Sequence, residues 1–194
     1  LSRTFILENN TITILGRILK ILLPNKHKNK MSKHLERLNN VFWDFREREL
    51  HQYASVEEFK KDVILMNEEL QNEKEWQLDD VVIEEPKIEV TYTAYVFPDD
   101  LLSNERLASN EVSTLEDNET IFERESEEYD GRYYAEITAT IEPNNGQCFS
   151  GYEFLMKVHI QTLNKDLGDD NFYEGVEITR NKDNTAIAYI YTGG

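Results

Sequence analysis

Cysteine is almost missing from this chain of 194 residues, where Cys148 stands alone. A single thiol excludes an intramolecular disulfide and any metal site built from several thiolates. It also suits a reducing compartment, so a cytoplasmic protein is expected. Long apolar runs are missing as well. The nearest is Thr11 to Leu23, where Gly16, Arg17 and Lys20 interrupt the aliphatic residues; it falls short of the roughly 18–20 residues that span a bilayer. Basic residues follow that stretch, at Lys26, Lys28 and Lys30, whereas a secretory signal carries its charges first. Neither a membrane span nor export is expected. Basic residues are scarce overall, with 21 Lys and Arg against 38 Asp and Glu and a net charge of −17. Nucleic acid and anionic membranes are bound through clustered Lys and Arg, so this balance disfavours both. A basic protein is the partner that such a charge attracts. Glycine-rich phosphate loops, Gly-x-Ser-x-Gly elbows and kinase-type motifs are absent from the sequence, which weighs against an enzyme.

What charge there is divides unevenly. Residues 1–30 hold six basic residues (Arg3, Arg17, Lys20, Lys26, Lys28, Lys30) and one acidic residue, Glu8. This break before Met31 suggests an upstream read-through or detachable segment, with the working protein starting at Met31. The rival expectation is a β-hairpin, Thr4 to Leu7 and Thr11 to Leu15, turning at Asn9 and Asn10.

Beyond Met31 the sequence matches itself at a separation of 95 residues: Ser55, Glu58, Phe59 and Val63 recur as Ser150, Glu153, Phe154 and Val158, and Val81 and Ile83 as Val176 and Ile178. Both Ser-x-x-Glu pairs have capping-box spacing and open a helix. Val56, Phe59, Val63, Met66 and Leu70 make one apolar stripe of the first; Leu155, Val158, Thr162 and Leu167 make that of the second, with Gly168 as a left-handed cap. Period-two alternation marks strands at Val41–Phe45, Val81–Glu84 and Ile88–Thr93, then at Ala135–Glu142, Tyr173–Thr179 and Ala186–Tyr191. The expected fold is α+β: two similar βαββ units, 31–98 and 131–194, packed as one antiparallel sheet with helices on one face. Between them, residues 99–130 carry twelve acidic residues and two basic ones, Arg106 and Arg124, and read as an exposed acidic connection.

Catalytic chemistry finds little support. Cys148 precedes the second helix while His159 lies about three turns along it, too far for a nucleophile and its base. His51 and His159 belong to no His-x-x-x-His or Glu-x-x-His pattern, so no metal is expected. Asp166, Asp169, Asp170, Asn171 and Glu174 bunch together but lack the twelve-residue calcium loop and its glycine. No cofactor is expected. Two features remain. Glu84, Glu85 and Glu89 with Tyr92 and Tyr95, and Tyr173, Glu174 and Glu177 with Tyr189 and Tyr191, mix carboxylates and tyrosines on strands. That composition suits gripping a basic protein, although tyrosine also favours strands for its own sake. The other is the run Tyr191-Thr192-Gly193-Gly194, which resembles the diglycine tail of ubiquitin-like and sulfur-carrier proteins. The resemblance implies adenylation and conjugation through Gly194.

Asn171-Phe172-Tyr173-Glu174-Gly175-Val176-Glu177-Ile178, followed by Ile187 to Gly193, resembles small proteins of bacterial polymorphic-toxin gene neighbourhoods. The likeness covers about the last quarter of the chain and implies an immunity protein, a stoichiometric inhibitor that occludes a basic toxin such as a nuclease. The expected functions rank as an immunity or inhibitor protein, then a ubiquitin-like modifier, then an enzyme whose site no motif reveals.

Overall fold

A computed structural model describes residues 35–46, 53–108 and 131–194, all within one compact unit, His34–Gly194. The readings of residues 1–30 and of most of the acidic connection lie outside the described residues, as does His51.

Residues 35–38 are helical, and the next helix, α1 (Val56–Glu69), starts where the capping residue predicts: Ser55 Oγ accepts from the Glu58 amide at 3.2 Å. Glu58 reaches back one residue further than a capping box requires, to the Ala54 amide at 2.9 Å. Phe59 and Val63 are fully buried. The stripe then departs from expectation, because Leu70 is the C-cap and is exposed, while Asn67 takes the buried position. Asn67 holds it by acting as a piece of backbone. Its side chain accepts from Phe42 N at 2.9 Å and donates to Phe42 O and Val63 O, each at 2.8 Å. This clamp lays residues 41–45 down in extended form, with Val41, Trp43 and Phe45 inward and Phe42 out. The segment was expected as a strand; it makes one bridge, Asp44 with Phe172, closed by Phe45 N to Asn171 O at 3.0 Å and Tyr173 N to Trp43 O at 2.8 Å.

Helix α2 (Gly151–Thr162) is capped by Ser150, whose Oγ accepts from Glu153 N at 3.3 Å. Glu153 itself turns to the Asn144 amide at 2.5 Å. The helix stops at Thr162, short of Leu167; Gly168 does adopt a left-handed φ of +65°, but in the connection beyond. Phe154, Leu155 and Val158 are fully buried. Burying side chains of this size stabilises by about 1.5–3 kcal/mol each, so α1, α2 and the sheet depend on one shared core.

Among the described residues there are seven strands: β1 (Val81–Ile83), β2 (Ile88–Val96), β3 (Glu105–Leu107), β4 (Tyr133–Ile141), β5 (Phe149–Ser150), β6 (Phe172–Arg180) and β7 (Ala186–Gly193). Five of them form a sheet in the order β3-β4-β2-β7-β6. It is mixed, and the expectation of an antiparallel sheet is corrected at one place: β2 and β7 run parallel, with Glu89 opposite Ile187 and Thr91 opposite Tyr189. The reason is the crossover through α2. It returns the chain parallel to β4, so β7, turning back from β6, must run with β2. Strand β3 falls inside the segment read as an acidic connection, where three residues carry too little alternation to be seen.

The sheet interleaves the two expected units, since β2 lies between β4 and β7. Their internal match is physical only in part. Ser55 and Ser150 both cap, and Phe59, Phe154, Val63 and Val158 are all fully buried. Val81 and Ile83, however, pair with β5 in a separate two-stranded sheet, whereas Val176 and Ile178 belong to the main sheet.

Candidate functional site

Alternation along β2 assigns the two faces of the main sheet. Ile88, Val90, Tyr92, Ala94 and Val96 point inward and are at most 3% exposed. Helix α2 packs on this side, where Tyr92 Oη stands 3.2 Å from Gln161 O. Glu89, Thr91, Thr93 and Tyr95 point the other way. Strand register then builds that outer face residue by residue: one row crosses all five strands as Arg106, Thr138, Thr91, Tyr189 and Glu177, and the next runs Thr140, Glu89, Ile187, Thr179.

The middle of the face is formed by Thr91 and Thr138, both buried at 5% exposure, whose hydroxyls stand 3.3 Å apart. Tyrosines rise at both ends. Tyr134 (52% exposed) stacks at a tilt on Tyr95, ring centroids 5.0 Å apart. At the other end Tyr189 and Tyr191 are 37% and 49% exposed. Tyr191 Oη donates to Glu177 Oε2 at 2.9 Å, and this bond to a carboxylate raises the phenol above its ordinary pKa.

Of the residues expected to contact a partner, the structure brings Glu89, Glu177 and Tyr189 onto this face, together with Tyr95 and Tyr191. Glu84 and Glu85 lie beyond it in the link after β1, Glu84 exposed and Glu85 paired with Arg180. Glu174 is exposed at the irregularity between Tyr173 and Gly175. Tyr92 and Tyr173, expected on the exposed surface, are each 3% exposed. For Tyr92 the correction was readable, because it shares parity with Ile88 and Val90. For Tyr173 it was not: the bulge beside it shifts the alternation, so that Tyr173 turns inward while Glu177 turns out. Burial raises the pKa of both phenols, aided at Tyr92 by the charge of Glu105. Tyr134, Glu136 and Arg106 complete the face and were not anticipated; Tyr134 has the parity of Glu136 and Thr138, the one signal that could have found it.

Several carboxylates are neutralised where they stand. Arg106 meets Glu89 at 2.9 Å, Arg37 spans Glu75 and Asp80, and Lys60 meets Asp79. Glu105 is bound in the interior: its side chain and that of Lys165 are both fully buried, with Nζ to Oε2 2.9 Å. Tyr92 Oη and the Leu102 amide also donate to Glu105, each at 2.7 Å. Glu177 differs, since its partner is a phenol and no cation pairs with it among the described residues.

The other places where chemistry was sought offer less. Cys148 Sγ sits 3.4 Å from Asn145 Nδ2. His159 is enclosed by Trp43, Phe45, Tyr53 and Phe59, and its Nδ1 accepts from the Trp43 indole at 3.4 Å. Among the described residues no cluster of His, Cys, Asp and Glu could hold a metal ion, and no helix is long and apolar enough to cross a membrane. A cleft of about 370 Å³ opens between Phe45, Arg46, Arg132 and residues 162–167. Its carboxylate, Asp166, is engaged by Arg132 at 2.5 Å, Arg46 at 3.5 Å and the Gly168 amide at 2.9 Å. As for the diglycine, Gly193 lies within β7 opposite Phe172, where a Cβ would meet only the movable carboxylate end of Glu174, whereas a Cβ at Gly194 would collide with the Asp169 backbone carbonyl.

Comparison with protein-family models, with curated proteins and with solved structures finds no match.

Proposed function

We propose that this chain is a non-enzymatic, acidic binding protein that takes a basic protein on the outer face of its sheet, in the manner of an immunity protein occluding a basic toxin such as a nuclease. One observation carries the reading: Tyr134, Tyr189 and Tyr191 are exposed on the same sheet face as Glu89, Glu136 and Glu177. Tyrosine rings supply large, rigid contact area with a polar end, the composition of interface centres. Carboxylates around them, in a chain of net charge −17, steer a cationic partner into register. The modifier reading ranks lower, because Gly193 is occupied in strand pairing.

The test is affinity capture from the native lysate at low salt with the full chain, beside a Tyr189→Ala/Tyr191→Ala variant and a Leu65→Ala variant on the exposed side of α1. A single basic protein should bind one to one, be released by salt as charges are screened, and be lost from the tyrosine variant alone. Capture that all three proteins share equally would refute the face.

A further inference from the structure

We propose that the β6–β7 end of this face, formed by Glu177, Tyr189 and Tyr191, is a subsite for an arginine side chain of the basic partner. The inference rests on the binding-face reading above and adds to it the chemistry of one contact. Glu177 and Tyr189 are directly opposite across the β6–β7 ladder, so ring and carboxylate stand side by side. Tyr191, two residues along, donates its hydroxyl to Glu177 Oε2 at 2.9 Å. That bond fixes the carboxylate against the sheet and leaves Oε1 for another donor. A tyrosine phenol, with an ordinary pKa of about 10, is protonated throughout the physiological range, so the clamp holds there.

Charge complementarity selects the occupant. Elsewhere the chain neutralises Glu85, Glu89, Glu105 and Asp166 with its own Arg or Lys, but among the described residues no Arg or Lys pairs with Glu177. Glu84 and Glu174 are exposed too, yet neither has a phenol hydrogen-bonded to it among the described residues. An oriented carboxylate between two exposed aromatic rings matches a guanidinium better than an ammonium. A guanidinium is planar, stacks on tyrosine and donates in a fork to a carboxylate, while lysine offers a strongly hydrated point charge.

Calorimetric titration of the full chain with oligoarginine and oligolysine peptides of equal length, at matched low salt, tests this. Oligoarginine should bind about fivefold more tightly. Glu177→Gln and Tyr191→Ala should erase that preference, and Glu84→Gln should keep it; an unchanged urea midpoint in each variant shows that the fold is intact. Equal affinity for the two peptides, with both weakened by Tyr189→Ala/Tyr191→Ala, overturns the arginine subsite and leaves the basic-partner face standing. A preference for oligoarginine that survives Glu177→Gln also overturns it. Failure of both peptides to bind the wild-type chain refutes the face itself.

Discussion

Replacing Lys165 by Met should destabilise the protein severely, and the size of the loss follows from where the ammonium sits. At 2.9 Å from Glu105, and with an effective dielectric of about 20, the gross attraction is about 6 kcal/mol. Desolvation of the two buried charges costs several kcal/mol per ion and cancels much of it. The pair is therefore worth little as a whole, but its halves are not separable. Without Lys165, Glu105 remains buried with only the Tyr92 hydroxyl and the Leu102 amide as donors, a loss of about 3–5 kcal/mol. Against the 5–15 kcal/mol that stabilises an ordinary domain, this is a large share. Urea unfolding followed by the fluorescence of Trp43 and Trp76, both buried, would report it. With an m-value of about 2 kcal/mol/M, the midpoint should fall by roughly 1.5–2.5 M. The double variant Lys165→Met/Glu105→Leu should recover a large part of that loss, because it leaves no orphaned charge. A single variant within about 0.5 M of wild type (about 1 kcal/mol at that m-value), or a double variant no better than the sum of the two singles, would refute the reasoning.

Four other outcomes are expected. Gly151→Ala should cost about 1–3 kcal/mol in the same assay, since a Cβ there would lie 2.7 Å from Leu78 Cβ and 3.1 Å from its carbonyl oxygen, and overpacking outweighs the gain in helix propensity. Ser55→Ala and Ser150→Ala should each lose about 1 kcal/mol through the helix cap. Because the phenols of Tyr92 and Tyr173 have folded pKa values raised above their unfolded value of about 10, the stability they confer is complete below that pH and is lost as pH rises above it. Tyrosinate absorbance should accordingly show these two ionising only with alkaline unfolding. Glu177→Gln should lower the Tyr191 pKa toward the ordinary tyrosine value, visible as an earlier phase in the same titration.

Local signals in the sequence placed α1 and α2, because a capping serine followed by aliphatic residues at three- and four-residue spacing depends on nothing distant: Ser55 and Ser150 both cap as expected. Long alternating strands were legible for the same reason: β2, β6 and β7 extend one to three residues beyond their expected limits at an end, and β4 starts two residues early and stops one residue short. Charge, too, is a property of the chain alone. What could not be read locally was settled by packing. Strand order, and with it the parallel pairing of β2 with β7, follows from how the crossover through α2 returns to the sheet. Residues 41–45 are held extended by the side chain of Asn67, a residue 25 positions from Phe42, so no window around the segment contains its cause. A bulge turned Tyr173 inward and Glu177 outward, which a strict period of two cannot anticipate. The outer face itself is assembled from β2, β3, β4, β6 and β7: Arg106, Thr138, Thr91, Tyr189 and Glu177 become neighbours only once register is fixed. The sequence by itself determined the acidity, the caps and the alternation, whose physics lies within a few residues. Tertiary structure alone decided which tyrosines are buried and which meet solvent beside the Glu177 carboxylate, because that depends on register between strands far apart in the chain.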